Sequence, residues 1–189
     1  MIILASQSPR RAALLDQVGI TYECLAADVD ESVHADERAA DYVERVAIAK
    51  ADTVHAQHPN RIVLAADTAV VLDQRILGKP RDRDEAVEML SLLSGRTHEV
   101  LTGVAIAADV SAFRLSVSRV GFRTLSADEI DAYWRSGEPA DKAGAYAVQG
   151  IAAAFIERIE GSYSGIMGLP LFETLALLRE AGVQTRSGI

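Results

Sequence analysis

The spacing of hydrophobic residues changes from strand-like to helical within the first eighteen positions. Residues 1–5 form an apolar run of strand length, and Leu14 and Leu15 then fall on one face of a helical pattern. Ser8 suits the N-cap position and Pro9 suits the first helical position. The beginning of the chain therefore predicts a strand, a polar turn and a helix.

The same spacing predicts elements along the rest of the chain. Short apolar runs predict a hairpin at 69–77 and strands at 20–25, 62–66, 97–107 and 151–159. Helical spacing and capping signals predict helices at 39–57, 84–93, 126–136 and 171–181. The glycine-containing segments 138–150 and 161–165 predict a loop and a turn. Because strands and helices mix without strict alternation, the sequence predicts a mixed α/β fold.

One predicted strand carries a change of register. Phe113, Leu115 and Val117 alternate in one register, whereas Val120 and Phe122 occupy the other. A slip of one residue moves a side chain to the opposite face of a sheet. The pattern therefore predicts a bulge within a long antiparallel strand.

Composition narrows the classes of function. The 189 residues are 49% hydrophobic and 24% charged, as in an ordinary globular protein that can bury a core. The net charge of −8 disfavours broad adhesion to nucleic acid or to an anionic membrane, so neither is an expected partner. The sequence shows no secretory signal or membrane-spanning run, and we expect a cytoplasmic protein.

The thiol and imidazole groups point to no chemistry of their own. Cys24 lies in an apolar run, which predicts a core thiol, and a single cysteine fits a reducing compartment. No metal-ligand spacing is found among the four histidines, which are His34, His55, His58 and His98.

Two arginines at the start of the first predicted helix are candidates for anion binding. Arg10 and Arg11 occupy its first turn, where the positive end of the helix dipole disfavours cations. Together with the hydroxyls of Ser6 and Ser8 and the free backbone N–H groups, they would form a phosphate site. The alternative is that both arginines are solvated surface groups.

Further charged residues stand where apolar residues are expected. Asp67 lies inside a nearly continuous apolar run, so it needs a cation, hydrogen-bond donors or an opening to a site, unless it is a neutralised structural carboxyl. Lys50 falls on the apolar stripe of its helix, either snorkelling to water or pointing into a cleft. Lys79 follows the hairpin and could point to the same place. The acidic connection at 28–31 is either solvated or suited to a hard cation such as Mg²⁺.

Six sets of polar and glycine-containing motifs follow one another in order over nearly the whole chain. They are residues 6–11 (Ser-Gln-Ser-Pro-Arg-Arg), 66–68 (Ala-Asp-Thr), 77–80 (Leu-Gly-Lys-Pro), 94–98 (Ser-Gly-Arg-Thr-His), 142–150 (Lys-Ala-Gly-Ala-Tyr-Ala-Val-Gln-Gly), and 161–163 with 168–170 (Gly-Ser-Tyr and Gly-Leu-Pro). Together they resemble the Maf nucleotide pyrophosphatase family. The resemblance implies one domain over residues 1–189, with an elongated, two-lobed α/β fold, a mixed sheet and a central cleft, similar to the inosine triphosphate pyrophosphatase fold.

The resemblance also implies an activity and roles for residues. The expected reaction is hydrolysis of a nucleoside triphosphate to the monophosphate and pyrophosphate, with a divalent cation, Mg²⁺ or Mn²⁺, as cofactor. Asp67 corresponds to the proton acceptor, and Glu31 with Asp67 to the metal-binding residues. The residues expected to bind substrate are Ser6, Ser8, Arg10, Arg11, Lys50, Thr68, Lys79 and Gln149.

Three positions bear on which base is read. One branch of the family resembles dTTP/UTP pyrophosphatases, with Arg, Thr and Gln at these positions; the other resembles 7-methyl-GTP pyrophosphatases, with Trp, Gln and Glu. Arg10, Thr68 and Gln149 place this sequence in the first branch, in which Thr68 and Gln149 would read the base. A glutamine amide offers both a donor and an acceptor, which matches the carbonyl and N–H groups of uracil or thymine.

The sequence leaves some alternatives open. Within the same family the alternative is a 7-methyl-GTP pyrophosphatase. In a different class, the alternative is a nucleotide-binding regulator of cell division that does not turn its ligand over. RNA binding is disfavoured because the chain is acidic and has no surface pattern of aromatic and basic residues. The expected partner is the nucleoside triphosphate, and a homodimer is compatible with the sequence.

Overall fold

A computed structural model describes residues 1–109 and 111–184 of the chain. The strands of this part form one mixed, seven-stranded sheet: β1 (Ile2–Ala5), β2 (Tyr22–Leu25), β3 (Val63–Leu72), β4 (Arg75–Leu77), β5 (Thr97–Ala107), β6 (Ala112–Phe122) and β7 (Ile156–Glu160). Their order is β2-β1-β3-β5-β6-β7, with β4 paired to the end of β3. β1 runs parallel to β2 and β3, whereas the pairs among β3, β5, β6 and β7 are antiparallel.

Six helices pack around this sheet in the described residues. They are α1 (Pro9–Gln17), α2 (Ala39–Gln57), α3 (Arg83–Leu93), α4 (Ala127–Arg135), α5 (Tyr163–Met167) and α6 (Leu171–Glu180). Short 3-10 turns occur at Glu138–Asp141, Ala143–Ala145 and Ile151–Phe155. The predicted capping box at Ser126 is confirmed, because its side chain and that of Glu129 each accept a backbone N–H of the other residue. None of these helices is long and apolar enough to cross a membrane.

The bulge predicted in the strand at 113–122 is absent from its pairing with β5. All of β6 from residue 112 to 121 pairs with β5 in one unbroken register. The hydrophobic pattern changes because Ser116 and Ser118 occupy the buried face, whereas Leu115 and Val117 are exposed. Ser118 Oγ accepts the backbone N–H of residue 162 at 2.9 Å, so the buried hydroxyl has a partner. A register shift does occur at residues 121–122, but on the opposite edge, against β7.

Three further local predictions are corrected. Of the strand predicted at 151–159, residues 151–155 form a 3-10 turn and only the rest pairs with β6. The turn predicted at 161–165 contains the start of α5, because the side chain of Ser162 caps a helix by accepting the N–H of Gly165. Cys24 is exposed and is not a core thiol, because it lies on the outer strand β2, whose residues are at most half-buried.

The hydrophobic core is divided along the long strands. The first half of β3 packs against α1 and α6 through Leu64 and Ala66, and against α2 through its other face. The second half packs against α3 and α4 through Val70 and Leu72. Between the two halves β3 carries a polar pair, residues 67–68, where a cleft opens. The predicted mixed α/β fold with two lobes and a central cleft is therefore confirmed.

Candidate active site

A cavity of about 730 Å³ occupies the cleft. Its wall is formed by the β1–α1 turn, the connection after β2, the middle of β3, the end of β4 and the segment before β7. It brings together every residue singled out in the sequence: Ser6, Ser8, Arg10, Arg11, Glu31, Lys50, Asp67, Thr68, Lys79 and Gln149. Residues from distant parts of the chain therefore converge on one site.

Lys50 holds two carboxylates at the centre of the cavity. Its Nζ lies 2.8 Å from Asp67 Oδ1 and 2.8 Å from Glu31 Oε1. Lys50 is 7% exposed and Asp67 is 5% exposed, so this ion pair is removed from bulk water. The helix α2 places Lys50 one turn beyond Val46 on its buried face, and the ammonium points into the cleft rather than to solvent. Removing one partner of such a pair leaves an uncompensated buried charge.

A glycine in β5 allows α2 to approach Asp67 closely. Gly103 pairs with Asp67 in the sheet. A Cβ atom at Gly103 would lie 2.8 Å from the backbone oxygen of Val43 and 2.8 Å from the ring of Phe113. Such contacts are too short for real atoms, so a side chain here would push α2 away from the sheet. Close packing of α2 therefore supports the contact between Lys50 and Asp67.

One oxygen of Asp67 has no partner among the residues that the structure describes. Oδ1 accepts the ammonium of Lys50, but Oδ2 is buried and forms no hydrogen bond with any described residue. A buried carboxylate oxygen without a partner is costly. This oxygen of Asp67 is thus an acceptor that a cation or a hydrogen-bond donor reaching it would satisfy.

Glu31 stays ionised beside Lys50. Its partial burial acts to raise the pKa, but the hydrogen bond and charge of Lys50, with help from Lys79 and Arg11, lower it below the usual value. The side chain is 44% exposed, so the carboxylate faces the open side of the cavity. Tyr42 donates its hydroxyl to the backbone oxygen of Glu31 at 3.1 Å, which ties this connection to α2.

Arg11 is fixed by three acceptors and is not a solvated surface group. Its Nε donates to the backbone oxygen of Gly168 at 2.7 Å, Nη1 to Ser6 Oγ at 3.2 Å and Nη2 to Thr68 Oγ1 at 3.4 Å. Burial lowers the pKa of Arg11, while the charge of Asp67 acts in the opposite direction. Arginine remains a cation under these conditions.

The hydroxyl of Thr68 belongs to a directed chain of hydrogen bonds. Thr102 Oγ1 donates to the backbone oxygen of Gly165 at 2.8 Å, so its only proton is used. The 3.0 Å contact between the two threonine hydroxyls must then carry the proton of Thr68. Thr68 Oγ1 accepts from Arg11 on its other side. The chain therefore ends on the guanidinium of Arg11.

The start of α1 presents free backbone donors to the same cavity. Ser8 is the N-cap of α1, but its side chain makes no capping hydrogen bond; the hydroxyl of Ser6 instead accepts the N–H of Ser8 at 3.1 Å. The first backbone N–H groups of a helix have no partner within the helix. Arg10 is half-buried beside them and forms no hydrogen bond with a described residue. The arrangement suits an anion.

Sequence reasoning missed several residues that line the cavity. Lys142, which forms an ion pair with Asp141, lines the cavity, and so do Tyr42 and Tyr146. Lys142 adds a fifth cation to the arginines and lysines named above, in a chain with a net charge of −8. Its position in the segment 142–150 is the one signal that could have found it.

The chain matches known proteins over nearly its full length. A family model described as "Maf-like protein" matches residues 1–181. The dTTP/UTP pyrophosphatase of Hahella chejuensis is 53% identical over 187 residues, which cover 97% of this chain and 93% of that protein. The dTTP/UTP pyrophosphatase of Alkalilimnicola ehrlichii is 54% identical, covering 95% and 92%. The solved structure of the Staphylococcus aureus Ham1 protein is 16% identical with a TM-score of 0.46, covering 64% of this chain and 71% of that chain.

Proposed function

Because the chain belongs to the Maf-like protein family, we propose that it hydrolyses dTTP and UTP to the monophosphate and pyrophosphate. The observation that carries the proposal is the cavity in which four further cationic side chains line the walls around the buried pair of Lys50 and Asp67. A triphosphate needs several cationic and N–H donors, and this cavity supplies both. The relatives named above support the choice of pyrimidine nucleotides.

The phosphates are bound at the start of α1. Arg10, Arg11 and the free N–H groups there contact phosphate oxygens, and Lys79 contacts them from the end of β4. Arg11 is already held in place by three acceptors, so little side-chain entropy is lost when it binds.

Asp67 acts as the proton acceptor. A water molecule attacks the α-phosphorus, the bond from this phosphorus to the bridging oxygen breaks, and pyrophosphate leaves. The proton of the water passes to the carboxylate of Asp67. Lys50 keeps Asp67 oriented through Oδ1.

The acidic residues fit a divalent cation as cofactor. Glu31 and Asp67 are brought together by Lys50, and Asp67 Oδ2 is an orphaned buried oxygen. The described residues contain no group of three or more His, Cys, Asp or Glu side chains placed to hold a metal. Two carboxylates with substrate phosphates and water are the usual ligands of Mg²⁺. Glu31 and Asp67 would hold Mg²⁺ or Mn²⁺, which supplies charge that offsets the negative charge developing on phosphate oxygens.

The base is read by Gln149. Its side chain is exposed in the cavity and forms no hydrogen bond with a described residue, so both its amide groups are free. We assign Thr68 to the positioning of Arg11 for phosphate binding rather than to direct contact with the base, because the proton of its hydroxyl is directed to Thr102. Arg10, the third of these positions, also lines the cavity.

A nucleotide panel with product analysis tests the proposal. The purified protein is incubated with dTTP, UTP, ATP, GTP and 7-methyl-GTP, with and without excess chelator, and the products are separated by chromatography. We expect UMP and pyrophosphate from UTP, at a kcat/KM well above that for the purine nucleotides, and no turnover in chelator. Formation of UDP and orthophosphate would contradict the proposed reaction. Full activity in excess chelator would contradict the requirement for a divalent cation. Binding of UTP without any product would instead indicate a nucleotide-responsive regulator.

A further inference from the structure

The segment 147–150, which carries Gln149, is bonded at its first residue to a buried tyrosine. Tyr133 on α4 accepts the backbone N–H of Ala147 at 3.2 Å. The same hydroxyl donates to Glu138 Oε1 at 2.7 Å. Burial and the charge of Glu138 raise the pKa of Tyr133, so its proton stays in place and the direction of this bond is fixed. One phenol therefore links Ala147 to Glu138.

The other end of the segment is bonded to the same carboxylate. Glu138 Oε2 accepts the N–H of Ile151 at 3.0 Å, and Oε1 accepts the N–H of Ala152 at 3.4 Å. Gly150 lies directly against the carboxylate, since a Cβ atom there would be 2.2 Å from Oε2. Within the segment, the N–H of Gly150 donates to the oxygen of Ala147 at 3.1 Å. Both ends of the short turn are therefore held by Glu138, directly or through Tyr133.

The two holding residues are themselves rigidly placed. Tyr133 is 2% exposed, and its ring packs edge-on against Phe155 with centroids 5.1 Å apart. Glu138 follows Gly137, whose φ of 77° is favourable for glycine and ends the connection from α4 sharply. Neither Tyr133 nor Glu138 is among the residues that line the cavity. They can affect substrate only through the segment that they hold.

From this arrangement we propose that Glu138 and Tyr133 are positioning residues for base recognition. The side chain of Gln149 has no hydrogen bond of its own in the described part of the chain, so the bonds at 147, 151 and 152 fix where its amide meets the base. A base-reading amide discriminates only when its donor and acceptor are held in register with the base. The inference rests on the proposed function, because it names what orients the residue that reads the base.

Two isosteric variants test the proposal. Tyr133→Phe keeps the buried ring but removes the acceptor for Ala147 and the donor to Glu138; Glu138→Gln keeps the shape but replaces one acceptor oxygen with a donor. In both, we expect the ratio of kcat/KM for UTP to that for ATP to fall about tenfold, the usual scale for one lost hydrogen bond. We expect the lower kcat/KM for UTP to come mainly from a higher KM, because neither substitution changes the residues around Asp67.

A third variant disturbs the same contact without removing either side chain. Gly150→Ala forces the carboxylate of Glu138 away from the N–H groups of Ile151 and Ala152. Gly150 is half-buried, so this substitution endangers folding less than a substitution at the buried Tyr133 does. We expect the same fall in the ratio, with circular dichroism and thermal unfolding used to verify that each variant is folded.

The matched control is Ser126→Ala, which weakens α4 by removing its cap and leaves the bonds to 147, 151 and 152 intact. We expect lower thermal stability but a wild-type ratio for UTP over ATP. Wild-type preference for UTP together with unchanged ratios in all three test variants would overturn the positioning role and leave the proposed function standing. A fall of the same size in the ratio of kcat/KM for UTP to that for ATP in Ser126→Ala would also overturn the positioning role. A wild-type protein that does not prefer UTP would overturn the proposed function, and the positioning of base recognition with it.

Discussion

At the scale of single residues, Asp67 is the group on which the proposed chemistry depends. It is a carboxylate in the middle of a buried strand; one oxygen accepts from Lys50, and the other has no hydrogen-bond partner in the described part of the chain. The cost of burying it is offset by the ammonium and by the opening of the cavity. Its surroundings therefore suit a reactive group better than a structural one.

Asp67→Asn should leave a folded protein whose kcat for UTP falls about 10²-fold or more, the usual scale for a lost general base. The amide is nearly isosteric, but it cannot take the proton and it binds a cation less well. Steady-state kinetics measure the effect, and Glu88→Gln, at an exposed ion pair with Arg75, is the control expected to keep wild-type rates. A folded Asp67→Asn protein with most of its activity would show that Asp67 is structural.

The hydrogen-bond chain from Arg11 makes a second prediction at this scale. Thr68→Val removes one of the three acceptors of Arg11, and Thr102→Val removes the acceptor that directs the proton of Thr68. Both should lower kcat/KM severalfold for every nucleotide alike, since Arg11 contacts phosphate. Thr102 is buried and does not line the cavity, so its effect cannot come from the base. A loss confined to dTTP and UTP in Thr68→Val alone would assign Thr68 to base reading.

At the scale of elements, local signals in the sequence fix where several elements begin and end. Helix α2 has the predicted bounds, 39–57, because its apolar stripe and flanking polar residues agree. The hairpin predicted at 69–77 is confirmed, and its turn residues Asp73 and Gln74 both have positive φ, at 49° and 68°, as tight hairpin turns require. Local signals do not fix which face of strand β6 is buried. That depends on contacts with residues far away in the sequence, such as the backbone N–H of residue 162.

The cap of α4 supports one prediction at this scale. Ser126→Ala removes the acceptor for the N–H of Glu129, which should cost about 1 kcal/mol of stability. For a chain of this size that lowers Tm by about 2–4 °C. Thermal unfolding followed by circular dichroism measures the change. Ser126→Thr retains a capping hydroxyl and should stay close to the wild type; an equal loss in both variants would contradict a capping role.

At the scale of the whole molecule, His98 links stability to pH. It is fully buried between Phe122 and Tyr146, and its Nε2 lies 2.8 Å from the hydroxyl of Tyr146. Burial lowers its pKa to about 4, and Nδ1 has no partner among the described residues. The folded protein therefore keeps His98 neutral where an unfolded chain would protonate it.

The free energy of unfolding should fall as the pH falls from about 6.5 to about 4, by about 3 kcal/mol in total. The sign follows because the unfolded state binds the proton at a higher pH than the folded state does. Denaturant unfolding at several pH values measures the slope. His98→Gln should flatten it over this window, whereas His34→Gln, at an exposed position, should not. Equal slopes in the wild type and His98→Gln would contradict the assignment.

The sequence by itself determined the mixed α/β class, most element bounds and the ten candidate residues that the cavity brings together. Hydrophobic spacing, caps and turn residues act over a few positions, so they can be read without the fold. The motifs of the family supplied the candidate site residues, since residues such as Arg10 and Gln149 are too far apart for spacing alone to bring together.

The tertiary structure alone decided how those residues act on one another. The pairing of Lys50 with Asp67 and Glu31 depends on the packing of α2 against β5, and the exposure of Cys24 depends on its place at the edge of the sheet. The contact of Glu138 with the backbone around Gly150 joins two segments whose sequence is compatible with a plain loop. These outcomes arise from long-range contacts and from the burial of polar groups, and local sequence preferences do not encode either.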